Sequence, residues 1–386
     1  MNRKELIKVH KNLFKKDHEI FILTPSRINI IGEHIDYLGG DVLPANINLY
    51  MMGSFSKSKN FSIYSENYKN FGINNFEDKK DFFYDEKNGF LNYFLGCIQI
   101  LRKHNYKIKG FNVAIFSEIP TSSGLSSSAA FGVSIIKGVL ELYNYKVNNI
   151  EIALLFKEVE NEFMNLKNGI MDQFIIANGL KDNLMLLNTS TLEFSHHKID
   201  LGDYEFVVFN TKKKRNLIDS KYNERVNETK KALEIINQKN KYKNLTEIPY
   251  EKLSETLNLI DDLTLKKRVK YVIQEQNRVN KFIENLKNKN YKEMGKILND
   301  GHKDLKNLYE VSCKELNFIV DNSIKIEGVL GARMIGAGFG GCLIIFIHKN
   351  SIKKLKNNII KKYENFFGFS CEMYLVKVVD CAKNIT

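Results

Sequence analysis

Short apolar runs of strand length alternate along this chain with longer amphipathic stretches of helical spacing. Residues 20–24 (IFILT) and 111–116 (FNVAIF) are two such runs, and each leads directly into a segment of small or polar residues. After position 124 the segment LSSSAAFGVSIIKGVLELY starts with small residues and continues with apolar ones at helical intervals, which predicts a helix beginning in the serine run. Another helix is predicted over 149–166, with Ile152, Leu155, Phe156, Val159 and Phe163 as its apolar stripe. From residue 204 the pattern changes to a strand (YEFVVFN), then to long charged amphipathic helices between about 222 and 310. A strand (CLIIFI), a helix from 351 to about 365 and a last strand (CEMYLVKVV) close the chain. The alternation predicts an α+β fold with helices on one face of a mostly antiparallel sheet. The change near residue 200 divides it into domains of 1–200 and 201–386.

A length of 386 residues favours two domains, each able to bury its own core, and two domains provide a cleft. Hydrophobic content of 43% and charged content of 27% are ordinary for a globular chain. No apolar run approaches the ~20 residues that span a bilayer, and the first residues, MNRKELIKVHKNLFKKDHEIF, lack the apolar core of a signal peptide. A cytoplasmic protein with no membrane partner is expected. The five cysteines (Cys97, Cys313, Cys342, Cys371, Cys381) are scattered and form no CxxC pair, which argues against a disulfide framework or a zinc site. The net charge of +13 is spread along the chain, and its densest cluster, 212–215 (KKKR), has no interleaved aromatic residues. No nucleic-acid partner is expected; the charge excess attracts anionic nucleotides modestly.

Three separated segments carry candidate chemistry. PSRINIIGEHIDY at 25–37 brings Arg27, Glu33, His34 and Asp36 into one strand and turn. Two carboxylates there can accept hydrogen bonds from adjacent hydroxyls of a neutral polyol, although a charged surface turn is the alternative reading. IPTSSGLSSSAA at 119–130 has small side chains that let the backbone approach an anion, serine hydroxyls that can ligate a metal, and a helix start behind them. It is not a Walker-type P-loop, and taken alone it also reads as an ordinary N-cap. GARMIGAGFGGC at 331–342 is a glycine-rich turn between strands. Asp172 in NGIMDQF is equally a proton acceptor or a helix N-cap.

Together the three segments resemble the signature motifs of the GHMP small-molecule kinases, and the first resembles the galactokinases in particular. The resemblance runs from about residue 20 to about 380. It implies an N-terminal ribosomal S5 domain 2-like domain and a C-terminal ferredoxin-like domain, with the last strand able to return to the first domain. The implied reaction is transfer of the ATP γ-phosphoryl group to the C1 hydroxyl of α-D-galactose, a step of galactose catabolism. On the matching positions Asp172 is the implied catalytic base and Arg27 its charge partner, since an arginine favours the ionised aspartate. Glu33, His34, Ile35, Asp36, Gly169 and Tyr222 are the implied sugar residues, with Asp36 toward the axial C4 hydroxyl; Tyr222 lies in SKYNER at 220–225. Ser65, Ser122, Ser123, Gly124, Leu125, Ser126, Ser127 and Ser128 are the implied ATP residues. Ser128 and Glu160 are the implied ligands of Mg²⁺; periodicity does not separate Glu160 from Glu158 and Glu162. The chain departs from the pattern at Ser26, Ser122 and Ser123, where glycine is common. Gly132 stands where glutamate is common, Asn168 in place of cysteine and Asn188 in place of aspartate. A kinase acting on N-acetylgalactosamine and a non-catalytic galactose and ATP sensor are the alternatives. A monomer is expected.

Overall fold

The apolar run at 20–24 is the first half of a longer strand. The computed structural model describes residues 1–121, 123–166, 168–213 and 218–386, with 218–220 as backbone only. Its strands in chain order are β1 (Ile20–Asn29), β2 (Asp41–Val42), β3 (Pro44–Lys57), β4 (Phe61–Ser65), β5 (Ile73–Phe76), β6 (Phe111–Ser117), β7 (Asn183–Asn188), β8 (Phe194–Lys198), β9 (Tyr204–Asn210), β10 (Val329–Met334), β11 (Cys342–His348), β12 (Glu372–Leu375) and β13 (Lys383–Asn384). The first sheet has the order β13-β1-β3-β6-β4-β5 and is antiparallel except where β4 runs parallel to β6. The β1–β3 register shifts between Pro25 and Ser26, where proline has no N–H to give to the ladder. Beyond that shift the strand carries Arg27.

Alternation along these strands buries both faces. Ile22, Met51, Phe55 and Val113 join the main core, on the side of the sheet where the helix Ser127–Leu142 packs. Phe21, Met52 and Ala114 face the other way and are covered by Leu6 of the helix Arg3–Phe14. The expectation of helices on one face is corrected here: the N-terminal helix supplies a second layer. Its sequence alternates lysine with isolated apolar residues, enough to cover a small patch but not to announce a layer.

The second sheet has the order β10-β11-β9-β12, all antiparallel. With the helix Ile352–Phe367 between β11 and β12, its strand order is that of a ferredoxin-like unit. The helix Tyr291–Asn307 packs on β10, and the helix Leu263–Lys287 packs on it in turn. The expected last strand ends at Leu375 and stays in this sheet, while two residues of β13 return to the first sheet beside β1. A third small sheet, β2-β7-β8, flanks the turn after β1.

The helix predicted over 149–166 is α-helical only through Glu158 and continues as one π-helical turn, Val159–Phe163. Such turns displace side chains from the α-helical face they would otherwise occupy. Here Glu160 is buried, while Glu158 and Glu162 lie outward and pair with Lys103.

Candidate active site

Between the end of β1, the start of the helix Ser127–Leu142 and the turn after β10 lies a cavity of about 290 Å³. Arg27 forms its floor. Its guanidinium grips Asp172 with two parallel bonds, Nε to Oδ1 at 2.7 Å and Nη2 to Oδ2 at 2.6 Å, and its Nη1 donates to the Gly124 carbonyl at 2.8 Å. Burial alone would lower the Arg27 pKa, but Asp172 outweighs it and holds the guanidinium above its usual range. Asp172 lies in the first turn of the helix Met171–Asn178, whose N-cap position is Ile170, so the N-cap reading of Asp172 fails. Its carboxylate also accepts a short hydrogen bond from Ser126 Oγ.

Ser126 adopts a left-handed conformation (φ 58°) and gives its hydroxyl to Asp172 rather than to its own helix. Among the described residues no side chain caps the first N–H groups of that helix, beside Ser127 and Ser128, which line the cavity with Gly124. Ser26 Oγ donates to the Leu125 carbonyl at 2.7 Å, so the serine that replaces glycine ties β1 to this turn. Ser123 Oγ is turned back to the Pro120 carbonyl, and Leu125 is fully buried in the core. Ser122 lies outside the described residues.

On the opposite wall Glu33 accepts from Asn29 Nδ2 at 3.0 Å and from the Gly336 N–H at 2.8 Å. Burial pushes its carboxyl up to about 7, against the pull of Arg333. Asp36 is pushed up to about 6 by burial and by the nearby Asp172, with Lys157 opposing. Gly169 abuts it: a Cβ there would lie 1.7 Å from Asp36 Oδ2. His34 is held neutral, its pKa lowered to about 4 by burial. Because the Ala337 carbonyl can only accept, His34 Nε2 carries the proton across the 3.2 Å contact and Nδ1 accepts from Tyr37 Oη at 3.1 Å. Tyr309 Oη then donates to Tyr37 Oη at 2.8 Å. Tyr222 closes this side, its ring 5.7 Å from that of His34 and 5.1 Å from that of Tyr37. Ile35 is fully buried, so its side chain faces the core.

Glu160 lines the cavity, as does Ser128, and burial and Asp172 push its carboxyl up to about 8. Among the described residues its side-chain hydrogen-bond partner is Asn168 Nδ2 at 3.4 Å, which leaves oxygen lone pairs for a hard cation. Among the described residues no cluster of three or more acids, histidines or cysteines forms a metal cage. Ser128 and Glu160 both present oxygen to the cavity, the donor type that suits Mg²⁺ completed by phosphate and water. Lys157 feels the charges of Glu160, Asp36 and Asp172 and donates to the Gly169 carbonyl at 3.1 Å.

Most expected residues thus meet in one cavity. Ser65 does not line it; it ends β4. Asn188 does not line it either and caps its own turn through the Ser190 and Thr191 N–H groups. The sequence reading missed Tyr37, Asn168, Met171, Gln173, Gly336 and Ala337 as lining residues, although each sits in or beside a quoted motif. The described members of the basic cluster are paired, Lys212 with Glu372 and Lys213 with Glu315, while Lys214 and Arg215 lie outside the described residues.

An arginine-held carboxylate facing a helix start and a polar pocket suits phosphoryl transfer to a small molecule. The GHMP kinases N terminal domain matches residues 92–179, the GHMP kinases C terminal domain 282–365, and the galactokinase galactose-binding signature 8–57. The galactokinase of Clostridium tetani is 38% identical over 381 residues, covering 98% of this chain and 96% of that protein. The galactokinase of Staphylococcus carnosus is 39% identical over 379 residues, covering 97% of each. The crystal structure of Lactococcus lactis galactokinase complexed with galactose superposes with a TM-score of 0.92 at 35% identity, covering 98% of this chain and 99% of that one. Methanococcus jannaschii mevalonate kinase shares the fold, with a TM-score of 0.67 at 23% identity, 95% coverage of this chain and 100% of that one. The chain belongs to the galactokinase family of GHMP kinases, and so to the ATP-dependent sugar kinases. Among the described residues no helix is long and apolar enough to cross a membrane.

Proposed function

We propose that this protein transfers the γ-phosphoryl group of ATP to the C1 hydroxyl of α-D-galactose. The observation that carries this reading is the Arg27–Asp172 pair, set between the Glu33–His34–Asp36 turn and the serine turn. Galactose lies against Glu33, His34, Asp36, the Gly169 backbone and Tyr222, with its C1 hydroxyl toward Asp172. The triphosphate lies along the backbone of Gly124 to Ser128. As the C1 oxygen attacks the γ-phosphorus and the bond to the β-phosphate oxygen breaks, Asp172 takes the hydroxyl proton and Arg27 offsets the charge. Ser128 and Glu160 are the residues to hold Mg²⁺, which when bound neutralises phosphate charge. Ser65 is assigned to the nucleotide by its place in the family pattern. We place the domain boundary near residue 200 and read the protein as a cytoplasmic monomer.

The test is ADP release from Mg-ATP with galactose, N-acetylgalactosamine, glucose or no sugar, for the wild-type protein and for Asp172→Asn. We expect galactose-selective turnover that falls by roughly 10²–10⁴-fold in the variant with galactose binding largely kept. Turnover confined to another sugar would replace the substrate, and near-normal turnover in Asp172→Asn would remove the base.

A further inference from the structure

The backbone around Glu33 is held from the other half of the chain. After Ile30 the turn leaves the first sheet, and the N–H groups of Gly32 and Glu33 both donate to one oxygen of Glu275, at 2.8 and 3.2 Å. The carbonyl of Glu33 accepts from Tyr271 Oη at 2.8 Å. Tyr271 and Glu275 are four residues apart on the helix Leu263–Lys287, and so lie on one face of it. Both are fully buried.

Glu275 is itself fixed. Its second oxygen accepts from Arg278 Nε at 2.7 Å, and Arg333 Nη1 stands 3.3 Å from its first. Arg278 extends the chain to Asp304 at 2.7 Å, and Arg333 returns to the turn by donating to the Ile30 carbonyl at 2.9 Å. Burial would push the Glu275 carboxyl up, but Arg333 and Arg278 hold it below its ordinary value. A buried ion cluster is seldom the cheapest way to stabilise a core, since apolar residues of equal volume often serve as well. What apolar residues cannot do is accept two adjacent peptide N–H groups at a fixed point.

We propose that Glu275 and Tyr271 are positioning residues for the sugar subsite, holding the peptide groups on both sides of Glu33 and so fixing where its carboxylate meets the substrate hydroxyls. The inference rests on the galactose reading above. Neither residue lines the cavity. The serine turn has its own hydrogen bonds to Ser26, Arg27 and Asp172, so the effect falls chiefly on the sugar side.

The experiment compares kcat, the apparent KM for sugar and the KM for ATP in Glu275→Gln and Tyr271→Phe with the wild-type protein, on the sugar that the wild type turns over. Thermal unfolding reports whether each variant is folded. We expect the sugar KM to rise by about tenfold in Glu275→Gln and by a few-fold in Tyr271→Phe, the size of one lost charged or neutral hydrogen bond. The ATP KM stays within about twofold, because the phosphate turn keeps its own hydrogen bonds. A sugar KM unchanged in folded variants, or a parallel rise in both KM values, overturns the proposal. If Glu275→Gln does not fold, Tyr271→Phe, which removes only a hydroxyl, decides alone. Failure of the galactose reading shows in the wild type, as absent galactose-dependent turnover. Sugar affinity by calorimetry then reads the same loss without turnover.

Discussion

At the scale of single residues, Glu33, the carboxylate we assign to the sugar, is held in the cavity at a cost to the fold. It is 2% exposed, and burial raises its carboxyl from the ordinary 4.5 to about 7 although Arg333, Asn29, Arg27 and the Gly336 N–H all favour the ionised form. An acid whose value is raised by folding takes up a proton as the chain folds. Its contribution to stability is therefore complete below about 4.5 and is lost as pH rises to about 7. Glutamine at this position cannot ionise. We expect the stability of the ligand-free wild type minus that of Glu33→Gln to fall over this window and then level off, as read from denaturant midpoints at several pH values. The subtraction removes buried His10, His34 and His302, whose lowered values act in the opposite direction. A difference that does not vary with pH would show that folding leaves the Glu33 carboxyl at its ordinary value. In the galactose reading proposed above, bound hydroxyl donors would favour the carboxylate and relieve the strain that burial imposes.

At the scale of elements, the motifs were legible because each is a contiguous stretch in which residue type and backbone serve one purpose. The helix beginning in the serine run and the strand over 111–116 follow from spacing alone. Glu160 shows where spacing fails: a single π-helical turn, invisible to a period of 3.6, buries it while its neighbours Glu158 and Glu162 stay outward. Glu275 is further out of reach, since it serves a peptide 243 residues away and nothing local distinguishes it from other acids on a charged helix. Gly132 has a local explanation only in three dimensions. A Cβ there would lie 1.7 Å from the ring of Phe156, which fills the space that a larger residue at 132 would need. We expect Gly132→Ala to cost about 1–3 kcal/mol by overpacking the two helices. Combining it with Phe156→Leu recovers part of that loss, a coupling of about 1 kcal/mol or more in a double-mutant cycle read by denaturant unfolding. Additive losses would mean that Phe156 is not what excludes a side chain.

At the scale of the molecule, the turn after β10 joins the two walls of the cavity that we assign to the two substrates. Gly336 adopts a φ of +77°, its N–H donates to Glu33 at 2.8 Å, and a Cβ on it would stand 3.0 Å from the Gly124 carbonyl. That carbonyl is the one Arg27 grips beside Asp172. One glycine from the second half of the chain therefore touches both Glu33, assigned to the sugar, and the serine turn assigned to the triphosphate. A left-handed backbone costs an L-residue roughly 1–2 kcal/mol, and the added methyl presses on backbone rather than on a side chain that can swing away. Relief of either strain moves the turn off both neighbours. We expect Gly336→Ala to raise the KM for galactose and for ATP together, each by roughly threefold to tenfold, the range of one weakened hydrogen bond. This contrasts with Glu275→Gln, whose effect stays with the sugar because its contacts end at the Gly32–Glu33 peptide and its arginines. Steady-state kinetics on the two variants side by side separates a residue that joins the subsites from one that serves a single subsite. If Gly336→Ala shifted only one KM, the turn would belong to that substrate alone.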